Sequence, residues 1–175
     1  AHPAWPSAAR KAALSPFSIE GTHDSDAPLP EPAIDAVHRL ATDAARLTRS
    51  WLEKLQAAGL SDGHYVELLG VVVAVVSVDA FHFALGLESE PLPSPEPGAP
   101  TRVRPEGLVF DVAWVPMLDP KRVGEPESDL FPGGRTANVA RAMSLVPEAV
   151  RLLHRLLQAH YVRMETVGNP ASNEG

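Results

Sequence analysis

Residues Ala58–Gly86, AGLSDGHYVELLGVVVAVVSVDAFHFALG, constrain the fold more than any other stretch of this chain. Ser61 is placed to cap a helix N-terminus, and Asp62 beside it suits the positive end of the helix dipole. Gly86 is placed to end the same helix, because glycine readily adopts the left-handed conformation that closes a C-terminus. Between the caps Val66, Leu69, Gly70, Val73, Val76, Ala80 and Phe83 make one stripe, and Leu68, Val72 and Val75 add apolar surface on other sides. A helix apolar nearly all round is buried on several sides or lies in an oligomer interface. Valine also suits strands, but the length and the two caps predict one buried helix over Ser61–Leu85. The run Val71–Val76 is shorter than the about 20 residues a membrane span needs, so no membrane partner is expected.

Helical patterns recur on both sides. Pro32 suits a first helical turn, and Ile34, Val37, His38 and Ala41 then share a face. A second helix is predicted from about Ala44 to Ala58, with Leu47, Trp51, Leu52 and Leu55 at helical spacing. Thr136–Ser144 is helical in pattern. A last helix starts with Pro147 and Glu148 and runs through Leu152, Leu153, Leu156, Leu157, His160 and Tyr161. The expected organisation is an irregular arm over 1–27, anchored by Trp5 and Phe17, a single helical domain over 28–164, and a tail over 165–175. Residues 87–134 form a Pro/Gly-rich connection, long enough to wrap over a neighbouring element. Within it LVFDVAWVPML is apolar enough to be a buried extended segment.

Composition narrows the function classes. A chain of 175 residues can bury a real core. Its net charge of −7, with no Lys/Arg run interleaved with aromatics, argues against nucleic acid as a partner. The absence of cysteine excludes a disulfide scaffold, a thiolate zinc site and thiol catalysis in this chain, and favours a cytoplasmic location. The opening AHPAWPSAARKAAL lacks the apolar core of a signal peptide. No cofactor-binding motif is read.

The words LPEPAIDAVHRLATDAARLTRSWLEKLQAAGLSDGHYVELLGVVVAVVSVDAFHFALG resemble the alkylhydroperoxidase-like and carboxymuconolactone decarboxylase-like family. That family places a phrase like "aGLSd" before an acidic residue that opens a long apolar helix ending in "alG". Later phrases, PLPSPEPGAPTRVRP, AWVPMLDP and RAMSLVPEAVRLL, are similar to its peroxidase-related subgroup. The resemblance runs from Pro28 to about Tyr161 and implies an all-α, oligomeric protein with peroxidase-related oxidoreductase ancestry. The family's catalytic phrase, a Glu followed by Cys-x-x-Cys and a His, is missing. In related chains it often lies in a second helical unit, after a segment like LVPEAVRLLHRLLQAHY. The resemblance therefore implies two alternatives. Either the cysteine-bearing half lies on a missing segment or a partner chain, or the chain is a cysteine-free member with a different role: a non-catalytic structural or partner subunit, or a decarboxylase- or isomerase-like acid–base enzyme.

Three residues are the candidate catalytic groups. Glu67 stands early in the apolar helix, where the family places an acidic residue; apolar neighbours would raise its pKa and suit it to proton transfer. The plainer reading is a carboxylate facing the helix dipole. Asp79 and His82 are three apart on one face and could form an acid–base pair, or a buried hydrogen bond that specifies packing. On a straight helix Glu67 and His82 stand about 22 Å apart, so they cooperate only across a break or a subunit boundary. His64 and Glu67 supply two ligands where a catalytic metal usually takes three, so no metal site is assigned. His38, His154 and His160 read as structural, Trp51 and Trp114 as core or interface anchors, and Arg102 and Arg104 as salt-bridge partners of the many acids.

The chain is expected to show no thiol-dependent peroxidase turnover, because no other residue here replaces a thiolate in that chemistry. With an organic hydroperoxide and a dithiol reductant, the reaction should run at the uncatalysed rate. Turnover that survives removal of trace metals and contaminating proteins would overturn this.

Overall fold

The computed structural model describes residues 3–14, 29–94, 97–98, 102–134 and 136–160; Phe17, Tyr161, the His160 side chain and the 165–175 tail lie outside that description. Among the described residues the protein is mostly helical. Its helices are α1 (Trp5–Leu14), α2 (Glu31–Thr42), α3 (Arg49–Ala57), α4 (Asp62–Ala84), α5 (Asn138–Met143) and α6 (Pro147–His160). Two short antiparallel strands, β1 (Leu108–Val109) and β2 (Met117–Leu118), pair Leu108 with Leu118 and Val109 with Met117.

Helix α4 is continuous, and its ends close as the sequence predicts. The Ser61 hydroxyl accepts from the His64 N–H at 3.2 Å. At the far end Gly86 takes φ +69°. Its N–H donates to the Phe83 carbonyl at 3.1 Å, and the Leu87 N–H donates to the His82 carbonyl at 2.9 Å. This crossed pair satisfies carbonyls that the helix would otherwise leave open.

Burial along α4 is uneven, which corrects the expectation of a helix buried throughout. Tyr65, Val66, Leu68, Gly70 and Val72 are buried, and no later residue of the helix is. Val71, Val75 and Val76 still pack against the core on one side. Ser77, Ala80, Phe81 and Ala84, spaced as one helical face, are exposed. Taken whole, α4 is also long and apolar enough to cross a membrane, although the six-residue valine run alone is too short. Helices α1, α2, α5 and α6 all contact it.

The first 27 residues are not all an irregular arm, because Trp5–Leu14 is helical. Trp5 anchors it as expected, and Ala4, Ala8, Ala9 and Ala12 are buried with it. Small side chains on this face let α1 lie close against α4 and α2. The predicted Ala44–Ala58 helix divides into a 3-10 turn (Ala44–Arg46) and α3. The break falls at Leu47, which is extended, and Thr48 then caps α3 by accepting from the Trp51 N–H at 3.2 Å. Helices α2 and α3 are thus separate, and they are tied by a 2.6 Å bond from Trp51 Nε1 to Asp35.

The 87–134 connection contributes to the core. Val115, Met117, Leu118, Leu130 and Phe131 are buried, whereas Phe110, Val112 and Trp114 face outward. The segment Leu108–Leu118 is therefore a hairpin with one inward leg rather than a wholly buried strand. Buried Ser144 docks it onto α5: its hydroxyl donates to the Arg141 carbonyl at 2.6 Å and accepts from the Leu118 N–H at 2.8 Å.

Helix α4 crosses α6 at Gly70. A Cβ there would lie 3.3 Å from the Ala149 Cβ and 3.4 Å from the Met143 Cε. Gly70→Leu should therefore overpack the crossing and lower stability by about 1–3 kcal/mol, measured by urea unfolding. A leucine variant as stable as the parent would mean that the crossing is looser than described.

Candidate functional site

The three candidate catalytic residues lie on one unbroken helix, and the structure does not bring them together. Glu67 is half-buried in the N-terminal part of α4 and is not without a partner. Asp79 and His82 lie 12 and 15 residues further on, or about 18 and 22 Å along the axis. No break at Gly70 or Ser77 shortens that span.

Asp79 is engaged by a residue 69 positions away. Arg10 Nε and Nη2 donate to its two carboxylate oxygens at 2.7 and 2.8 Å, and Nη2 also donates to the Glu90 carbonyl at 2.8 Å. The Arg10 side chain is 21% exposed and that of Asp79 15%, so this forked pair is screened less than a surface salt bridge. The hydrogen bonds from Arg10 to Asp79 raise the guanidinium pKa further, against the smaller opposing effect of burial. The sequence hid this partner, because nothing local connects residue 10 to residue 79.

His82 also bonds elsewhere. Its Nδ1 lies 2.9 Å from the Glu88 carbonyl oxygen, which can only accept, so Nδ1 donates. The expected Asp79–His82 bond is thus replaced by two separate fastenings. One holds α1 to α4, and the other holds the chain that leaves α4.

The remaining ionic contacts also fasten elements. Arg104 meets Asp62 through two bonds of 3.1 and 3.0 Å, the salt-bridge role the sequence suggested. Arg151 binds both Asp129 oxygens at 2.8 Å and Glu148 at 2.6 Å, and the Arg151 hydrogen bond lowers the Asp129 pKa. Burial raises the pKa of Tyr65, whose ring meets Trp51 edge-on with centroids 6.2 Å apart. His64 is exposed, and among the described residues no group of three or more His, Asp or Glu side chains could hold a metal ion.

Two surface cavities lie away from Glu67, Asp79 and His82. One, of about 640 Å³, opens between the β-hairpin and the start of α5. The other, of about 160 Å³, is bordered by α3, Asp62, Phe110 and Trp114. Neither is lined by Glu67, Asp79 or His82, the residues beside which the sequence led us to expect a pocket. Their outlines depend on how the connection folds back, which local sequence patterns do not encode. No protein-family model, curated protein or solved structure matches the chain.

Arg10 and Asp79 should be energetically coupled. A double-mutant cycle with Arg10→Gln and Asp79→Asn, followed by chemical unfolding, should give a coupling of about 1 kcal/mol or more. Additive losses would show that the pair contributes nothing beyond its parts.

Proposed function

We propose that this chain is the helical, association-forming part of an alkylhydroperoxidase- or carboxymuconolactone decarboxylase-like protein. In this reading a peroxidase-related thiol centre belongs to a cysteine-bearing half outside this chain, and the chain itself serves as a structural subunit. The observation that carries the association is one exposed face on the second half of α4. Ser77, Ala80, Phe81 and Ala84 form an exposed apolar face, with Phe83 and Leu85 exposed beside it. An apolar surface of this kind is a protein-interaction surface in waiting.

The occupant proposed is a second copy of this chain. From Ser77 to Leu85 the helix carries one carboxylate, Asp79, which is already paired with Arg10, and His82 is bonded to the Glu88 carbonyl. Two copies could therefore lay these faces together without burying an unpaired charge, the main penalty of such contacts. The engagement of Asp79 and His82 in structural bonds supports the subunit reading over acid–base catalysis by that pair.

Sedimentation velocity across micromolar concentrations tests this. The parent chain should associate reversibly, and Phe81→Glu combined with Phe83→Glu should sediment as a monomer with an unchanged helical circular dichroism spectrum. A parent that stays monomeric, associates equally well with both glutamates in place, or instead partitions into lipid vesicles would refute self-association through α4.

A further inference from the structure

The geometry points to the larger cavity as a binding site for a small organic carboxylate, held by Arg141 and Lys121. The cavity volume of about 640 Å³ falls within the range of small-molecule sites. Its polar walls are Asp111, Asp119, Lys121, Thr136 and Arg141, and Phe110 supplies an apolar wall.

Arg141 is the central residue of this site. Its side chain is 17% exposed, yet its one hydrogen bond to a described side chain runs from Nη2 to Asp111. Its Nε is buried without a partner. A guanidinium has five N–H donors in a planar fork that matches a carboxylate. Leaving the Nε donor buried without a partner is costly, and the remaining fork of donors lines the cavity where an anion can meet it.

Asp111 marks the chemistry of that anion, because it is itself a carboxylate resting on Arg141. It is 52% exposed and follows the edge of β1, so an incoming carboxylate can displace it into water at little cost. Lys121 lines the same cavity and adds a second positive charge. Asp119 accepts from the Lys121 backbone N–H at 3.0 Å, which shapes the turn that carries the ammonium. The walls are held in place independently of any ligand, since Ser144 bonds both Leu118 beside Asp119 and the Arg141 carbonyl. Phe110 favours a ligand with an apolar body over a bare inorganic anion.

Nitrogen-15 NMR titration with benzoate, at constant ionic strength in chloride, tests the assignment. Saturable shifts are expected at Asp111, Lys121 and Arg141, with a dissociation constant in the millimolar range or tighter. Asp111→Asn should bind several-fold more tightly, because the internal competitor is gone. Arg141→Gln should bind at least about tenfold more weakly, the loss expected for one charge-assisted hydrogen bond. Lys121→Gln, at an exposed turn, provides a weakening variant with no packing role. Non-saturating shifts, inorganic phosphate binding as tightly as benzoate, no tightening in Asp111→Asn, or parental affinity in both Arg141→Gln and Lys121→Gln would each overturn it.

Discussion

The packing of neighbouring helices on the N-terminal half of α4 is the constraint on which the rest depends. Tyr65, Val66, Leu68, Gly70 and Val72 are buried there. Gly70 sets how near α6 can come, because its missing side chain leaves the space that Ala149 and Met143 use. The alanine face of α1 does the same on another side. A core assembled from glycine and alanine contacts gains little from each residue but much from close approach, since dispersion falls steeply with small gaps. The fold thus relies on how near the helices lie as much as on large side chains.

Forked arginine–carboxylate pairs then fix what this core leaves loose. Arg10 holds α1 to the second half of α4, Arg104 holds the long connection to the first turn of α4, and Arg151 holds the Asp129 turn to α6. Each pair joins segments far apart in sequence, where connecting loops would otherwise leave freedom. The planar guanidinium suits this task because two parallel bonds set orientation as well as distance. The chemical consequence reaches the candidate site. Asp79 and Asp62 serve as anchors, and His82 closes the exit from α4 through the Glu88 carbonyl. Arg141, by contrast, uses little of its hydrogen-bonding capacity within the described protein.

Periodicity and end chemistry made the helices legible in the sequence. Ser61, Gly86, Pro32 and Pro147 act on the backbone within a few residues of themselves, so their effects survive in any tertiary setting. The break between Arg46 and α3 was less legible, because Leu47 continues the apolar spacing while its backbone is extended. Helix α1 was missed although Trp5, Ala8, Ala9 and Ala12 have helical spacing. Alanine carries too weak a hydrophobic signal to distinguish a buried stripe from a small-residue arm.

By itself, then, the sequence determined that the chain is helical, that one long apolar helix dominates it, and that thiol chemistry is absent from it. These follow from local backbone preferences and from residue identity. Tertiary structure alone decided that α4 has buried residues only in its first half and an exposed face on its second, that Asp79 meets Arg10 instead of His82, and that Arg141 faces a cavity beside Asp111 and Lys121. Each depends on residues from 20 to 79 positions apart. Which of them meet is set by how the helices cross and the connection folds back, and no local pattern records that.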